Sequence, residues 1–492
     1  MKTLDQIAAE LDGYDPQALS APQVHDFLAR LVTPVVQTLE LPLFEALGRV
    51  LAADVVSPLD VPPHDNSAMD GYAFAGGQLT ADAALELQVI GTALAGKAWQ
   101  GNVQSGQCVR IMTGAVMPEG LDTVVPQEFV SIRIGVSVLN GTETGQEPTA
   151  AAFKASSESV AVAAGAAQAK FITIPAGVLK TGDNRRLRGE DLTRGKAALY
   201  QGDLLTPARL GLAASLGLKT LTVWRPLRVA YFSTGDEILS LGEAPREGAV
   251  YDSNRYTVFG LLSRLGCEVI DMGVVRDEPA LLKAAFTEAA QRADAIITSG
   301  GVSVGEADHT KAMMKELGDV AFWHIAMRPG RPMAVGRMNS VSTACRASSS
   351  DVDSAIQAAA GSADIASAAS QGTLPGALLF GLPGNPVAVM VTFLAFVRPA
   401  LLQMMGARVD RAPLLKARSS EIIRKKPGRT EYQRGRVFTA PDGSLQVKTT
   451  GSQGSGVLRS MAEANGLIVL PHAQGNVAVG DEVEVLMFDG AI

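Results

Sequence analysis

Carboxylates and glycines recur together in this chain, each time behind an apolar run. TSGGVSVGEADHTK, residues 298–311, follows Ala293–Ile297 and carries Ser299, Gly300, Gly301, Ser303, Gly305, Glu306 and Asp308. A surface turn needs one or two glycines; more bare backbone than that lets a ligand approach the main chain. RVAYFST (228–234) leads to Gly235, Asp236 and Glu237, and CEVIDMGVV (267–275) leads to Arg276 and Asp277. ALLFGL (377–382) leads to Pro383, Gly384, Asn385 and Pro386. Bare N–H groups and the helix starts behind them favour an anion such as phosphate. Carboxylates beside them suit a hard cation such as Mg²⁺, shared with phosphate oxygens. AMRPGRP (326–332) adds Arg328 and Arg331, whose forked donors suit an oxyanion. Taken singly, each loop is equally a set of turn and cap residues. Together on one rim they point to a ligand.

That rim requires a particular scaffold. Asp252, Ser253 and Asn254 cap a helix running to Leu265, and Gly266 ends it in the left-handed conformation. Glu278-Pro279 starts another, with Leu281, Leu282, Ala285, Phe286 and Ala289 on one face. Asn385-Pro386 opens a long third helix. Strands alternating with helices predict a right-handed parallel α/β sheet over 227–403. In such sheets ligands bind beyond the carboxyl ends of the strands.

The flanks differ in texture. Residues 44–226 hold short β-like runs and turns, and residues 404–492 alternate apolar and polar as in a small β-barrel or sandwich. Residues 21–40 show helical periodicity through Val24, Phe27, Leu28 and Leu31 and are expected to pack on one of these domains. Residues 142–169 and 340–373 are rich in Ala, Ser, Gly and Gln and are expected to be loops. PPHDNSAMDGYAF (62–74), IMTGAVMPEG (111–120) and RRLRGED (185–191) are polar, turn-rich loops of low individual specificity. RTEYQRG (429–435) and TGSQGSG (450–456) set Arg434, Ser452 and Ser455 on loops between strands.

Bulk properties narrow the function. A chain of 492 residues predicts roughly three domains. The net charge of -7 argues against an electrostatic nucleic-acid binder. The 3 cysteines have no CxxC spacing and the 5 histidines no metal-ligand spacing, which argues against structural zinc. No apolar stretch of signal-peptide length opens the chain, and no run of membrane-spanning length is expected. The expected setting is the cytoplasm. A Walker phosphate loop and HExxH are both missing.

DNSAMDGYA, IMTGA, RGED, STGDE, SGGVSVGEAD, PGRP and GLPGNP, in this order, resemble molybdopterin molybdotransferases, the MoeA-type family related to the gephyrin E domain. The resemblance covers nearly the whole chain and breaks at 142–169 and 340–373. It implies a multidomain α/β and β fold: a parallel α/β molybdopterin-binding domain, flanking β-rich domains and a small C-terminal β-barrel. The expected division is 1–20, 44–60 and 185–226 as an elongated linker and dimer domain. A β-rich domain spans 61–184, the catalytic domain 21–43 and 227–403, and the barrel 404–492.

The resemblance further implies a reaction. Members take adenylylated molybdopterin and molybdate, release AMP with Mg²⁺ assisting, and leave molybdenum on the pterin dithiolene. By motif, Asp236, Glu237, Asp277 and Asp308 would hold or position the metal and phosphates. Ser299, Gly300, Gly301, Ser303, Gly305, Pro383, Gly384 and Asn385 would cradle the ligand. Arg328, Arg331, Arg434 and Ser455 would form the oxyanion pocket. The family's homodimer implies that Asp65 and Thr113 come from the partner subunit, with Asp191 nearby. Other proteins of molybdenum-cofactor biosynthesis are implied as further partners.

His324, Arg328 and Arg331 stand where the family usually has lysines. Two other readings share these motifs, a molybdopterin adenylyltransferase and a non-catalytic gephyrin-like scaffold. Molybdate and tungstate are nearly isosteric, so the preference between them stays open.

Overall fold

The structure, a computed structural model, describes residues 2–136, 168–302, 309–339, 376–408 and 412–488. Ser303, Gly305, Glu306 and Asp308 lie outside these, as do nearly all of 142–169 and all of 340–373.

Helix α1 (Ala21–Leu31) begins with a capping box, in which Ser20 and Gln23 each accept the other's backbone N–H. Its apolar stripe of Val24, Phe27, Leu28 and Leu31 is buried, and Phe27 meets Trp323 edge-on at 4.8 Å. The helical period expected over 21–40 stops early: Val32 is extended and a strand runs from Thr38 to Pro42. Pro34 disfavours helix at the residue before it and so ends the run.

The α/β sheet has the order β2-β1-β3-β6-β5-β4. Its strands are β1 (Arg228–Thr234), β2 (Glu268–Val275), β3 (Ala295–Ser299), β4 (Gly318–His324), β5 (Pro332–Met338) and β6 (Leu378–Leu382). β2, β1, β3 and β6 pair in parallel, as their intervening helices require. The other edge departs from the all-parallel expectation, because β5 runs antiparallel to both β6 and β4. Residues 325–331 are too short for a crossover, so β4 and β5 form a hairpin.

Successive side chains on these strands enter opposite cores. Val229, Tyr231, Ile297 and Phe380 face a cluster that includes α1 and α2 (Ser253–Arg264). Ala230, Phe232, Ile296 and Leu379 face α3 (Pro279–Arg292), with Phe232 and Phe286 edge-on at 5.1 Å. The stretch Pro386–Met404 is helical throughout and apolar enough by length and composition to cross a membrane, contrary to expectation. Its apolar window is 72% buried within the protein, so it is read as a core helix.

The C-terminal strands are β7 (Leu415–Ser419), β8 (Thr430–Thr439), β9 (Leu445–Thr449), β10 (Gly466–Leu470) and β11 (Glu482–Met487). Their pairings close the ring β8-β9-β7-β11-β10-β8, the expected small barrel. β8 also pairs in parallel with Met327 and Arg328, which ties the barrel to the hairpin loop between β4 and β5.

By its contacts the chain divides into two units. The sheet and barrel above belong to Met1–Ala53, Tyr200–Gly211 and Leu218–Ile492. The other unit is Asp54–Leu199 with Leu212–Gly217. Its main sheet joins Thr123–Pro126, Gly71–Phe74, Gln107–Ile111, Leu85–Ala93, Gln168–Ile174 and Ser131–Val136 in that order.

Candidate active site

A cavity of about 1430 Å³ opens where β1, β2, β3 and β6 end. Thr234, Gly235 and Glu237 enter it from β1, Asp277 from β2, and Ser299, Gly300 and Gly301 from β3. Pro383, Gly384 and Asn385 follow from β6. The parallel strands thus bring together part of the rim expected from the sequence, whereas Asp236 and Arg276 do not line the cavity.

Ser299, which lines the cavity, belongs to a buried hydroxyl triangle. The Tyr231 hydroxyl lies 2.7 Å from Ser299 Oγ and 2.9 Å from Ser233 Oγ, and the serines are 3.2 Å apart. Burial pushes the Tyr231 phenol well above its ordinary value, so the hydroxyl keeps its proton. Above the triangle the glycines are obligatory. Gly300 has φ +94°, and a Cβ on it would lie 2.4 Å from the Thr234 carbonyl oxygen. Gly301 has φ +63°, and its Cβ would fall 2.5 Å from Thr310. Any side chain at either position would close the backbone surface that the motif opens.

Acids are part of the lining. The carboxylates of Glu237 and Asp277 line the cavity. Asp277 Oδ1 accepts from Thr310 Oγ1 at 3.2 Å, and the Asp277 N–H points to Asp236 Oδ1 at 3.4 Å. Asp236 is thus adjacent to Asp277 and does not itself line the cavity. Among the described residues no three carboxylates, imidazoles or thiols converge on a metal position. Carboxylate oxygens are nonetheless the donor type that a hard cation takes, with the remaining positions filled by water and phosphate.

Arginines line the same cavity. Arg328 and Arg331 line the cavity, and among the described residues neither forms an ion pair. Gly330 between them has φ +88° and packs so closely that a Cβ would meet Thr392 Oγ1 at 2.4 Å. Ser455 enters from the barrel loop, and its carbonyl accepts the Val387 N–H at 3.1 Å. His324, at the end of β4, is not among the lining residues.

Arg434 is placed differently from the expectation of a loop ligand. It lies within β8, is 1% exposed and is not part of the cavity wall. Its Nη2 donates to the carbonyls of Ser452 and Gly454, both at 3.0 Å. Its Nη1 donates to the Gln453 carbonyl at 3.3 Å, and its Nε to Ser460 Oγ at 3.0 Å. Burial, and secondarily the charge of Arg328, push its pKa down to about 10.

The remaining expected residues belong to the other unit, where three weak motifs knit together. Asp65 Oδ1 accepts the Arg188 N–H at 2.8 Å, and Arg185 lies 3.6 Å from Oδ2. The Asp65 carbonyl accepts from Met117 N–H, and Ser67 exchanges backbone bonds with Gly114 and Ala115. Thr113 donates its N–H and its hydroxyl to Asp70 Oδ1, each at 2.7 Å. Asp191 N–H bonds to the Val61 carbonyl. The Thr113 backbone bond, then its hydroxyl, hold the Asp70 carboxyl below its usual range. Sequence reasoning missed Asp70 as the partner of Thr113. It also read Asp252 and Asn254 only as a helix start, whereas both line the cavity.

Comparisons with known proteins agree along the chain. Residues 19–217 match the MoeA N-terminal region (domain I and II). Residues 230–403 match the probable molybdopterin binding domain, and 416–488 the MoeA C-terminal region (domain IV). A molybdopterin molybdenumtransferase of Haemophilus influenzae is 37% identical over 454 residues, covering 92% of this chain and 94% of that protein. One from Nostoc sp. is 32% identical over 450 residues, covering 90% and 87%. A molybdopterin biosynthesis moeA protein of Pyrococcus horikoshii shares the fold, with TM-score 0.68, 23% identity and coverage of 96% and 100%.

Proposed function

The chain belongs to the MoeA family of molybdopterin molybdenumtransferases and acts in molybdenum cofactor biosynthesis, and on that premise we propose that it inserts molybdate into adenylylated molybdopterin with Mg²⁺ and releases AMP. The observation that carries this reading is the single cavity wall that joins bare backbone, carboxylates and arginines. At about 1430 Å³ it exceeds an ordinary small-ligand pocket and has room for a pterin with a nucleotide and an oxyanion.

Each group has a task in this reading. The Gly300 and Gly301 backbone lets phosphates approach, with Ser299 and the Pro383–Asn385 loop beside them. Glu237 and Asp277 would hold Mg²⁺, with Asp236 behind them and Asp308 joining as the motif implies. Bound there, Mg²⁺ would supply positive charge beside the phosphoryl oxygens. Arg328 and Arg331 bind the molybdate dianion by charge-assisted bonds, and the Ser455 hydroxyl adds a donor. Arg434 orients the loop that carries Ser455. The reading extends to a cytoplasmic homodimer in which the partner subunit brings Asp65, Thr113 and Asp191 to the cavity.

The test is incubation with adenylylated molybdopterin, molybdate and Mg²⁺, following AMP release and molybdenum on the pterin. Both should depend on molybdate and stop with a chelator. ATP-dependent transfer of AMP onto molybdopterin would instead make the chain an adenylyltransferase, and binding without turnover would make it a scaffold.

A further inference from the structure

Two buried oxygen atoms at the start of α2, both in the cavity wall, have no hydrogen-bond partner among the described residues. Asp252 is 4% exposed; its Oδ1 caps α2 by accepting the Arg255 N–H at 3.1 Å, and its Oδ2 is unpaired. Asn254 is 7% exposed; its Nδ2 donates to the Gly384 carbonyl at 2.7 Å, and its Oδ1 is unpaired. The bond to Gly384 fixes the amide orientation, because a flipped amide would set two carbonyl oxygens together. Thr234 Oγ1, also unpaired and buried, lines the same cavity.

The capping bond accounts for one oxygen of Asp252 and leaves the other unexplained. Arg255, the nearest cation along the helix, is committed to Asp271 through bonds of 2.7–3.0 Å. Two acceptors buried without donors are costly unless a ligand supplies the hydrogens. In the reading above the Mg²⁺ role falls to Glu237 and Asp277, whereas Asp252 and Asn254 offer one carboxylate and one amide oxygen, which suit N–H donors. An anion is excluded by the carboxylate itself. What fits is a planar edge that carries only N–H donors.

We propose that Asp252 and Asn254 form the subsite that recognises the N–H edge of the pterin ring, the 2-amino group and the adjacent ring N–H. This rests on the molybdopterin reading above. The other substrate parts fit less well. Phosphates, dithiolene and molybdate present negative charge, and the adenine amino group stands beside a ring acceptor. The acceptor pair and the arginines therefore divide the cavity, one wall for the heterocycle and one for the oxyanion.

The experiment compares binding of pterin, lumazine and AMP to the full-length wild type and to Asp252→Asn, by fluorescence titration and equilibrium dialysis. Lumazine carries oxygen in place of the 2-amino group. Asparagine is a good helix cap, so α2 is retained while an N–H replaces the unpaired oxygen. Pterin affinity should fall at least tenfold, its preference over lumazine should disappear, and AMP affinity should hold. In turnover, KM for the adenylylated pterin should rise more than kcat falls. Asp252→Ser, another capping residue, serves as second variant if the first melts early. Unchanged pterin affinity would reduce Asp252 to a helix cap and overturn the proposal. Loss of AMP binding with pterin unaffected would reassign the pair to the nucleotide. A wild type that binds AMP but no pterin would overturn the molybdopterin reading along with it.

Discussion

Arg434 Nη2 donates to the Gly454 carbonyl at 3.0 Å, and through this bond a buried strand residue holds the loop that carries Ser455 into the cavity. The same guanidinium spans Ser452 and Gln453 and, among the described residues, pairs with no carboxylate. A buried cation with only carbonyl and hydroxyl acceptors orders the backbone around it and leaves positive potential near Arg328.

Arg434→Ala should therefore have two effects. It removes the guanidinium bonds to the Ser452, Gln453 and Gly454 carbonyls, and stability should fall by about 3 kcal/mol in a urea melt. The molybdate concentration for half-maximal turnover should rise, and excess molybdate should restore only part of the rate. A variant with weakened molybdate use and unchanged stability would put the guanidinium on the oxyanion directly. With its pKa pushed down to about 10 from an ordinary 12.5, the group adds stability only as pH rises between those values. Stability between pH 6 and pH 9 should not respond to its titration.

The glycines allow a paired test. Gly300→Ala drives a Cβ to within 2.4 Å of the Thr234 carbonyl at φ +94° and should cost about 2 kcal/mol or more, with loss of AMP binding. Gly384→Ala meets its nearest atom only at 3.9 Å, so its stability should stay within ~0.5 kcal/mol of wild type. Equal costs at the two positions would contradict the close approach read at Gly300.

Asp277→Asn keeps an oxygen for Thr310 and removes the charge. The melting temperature should hold, while Mg²⁺-dependent turnover should fall tenfold or more, because an amide is a poor ligand for a hard cation. A wild-type rate across a Mg²⁺ titration would remove Asp277 from the metal role.

The proposed dimer predicts complementation. Asp65→Asn and Asp277→Asn should each be inactive alone. After subunit exchange at equal amounts, half the dimers are mixed and each holds one whole site, so roughly a quarter of wild-type activity should return. No recovery despite demonstrated exchange would put Asp65 in its own subunit's site, or in none.

What was legible in the sequence is what short stretches decide by themselves. β1, β2, β3 and β6 were readable as apolar runs, and α2 and α3 from Asp252 and Pro279 at their starts. Gly300 and Gly301 were readable because a left-handed backbone excludes side chains whatever surrounds it. Those features sufficed to predict a rim of acids and bare backbone on a parallel sheet.

Other features needed the folded chain. The short link 325–331 makes β4 and β5 a hairpin, but that β5 then pairs antiparallel with β6 across residues 340–375 is a partner choice that no local pattern encodes. Arg434 looked like a loop residue, but within β8 it pairs with Leu467 of β10 and is buried, and its donors meet the Gly454 carbonyl. Asp252 was visible as a cap through its bond to Arg255, three residues away. That its second oxygen is buried and unpaired depends on β1, β6 and a barrel loop closing one cavity around it. Capping and chirality act over a few residues and can be read from the chain, whereas burial and the pairing of polar groups depend on neighbours that only long-range folding brings together.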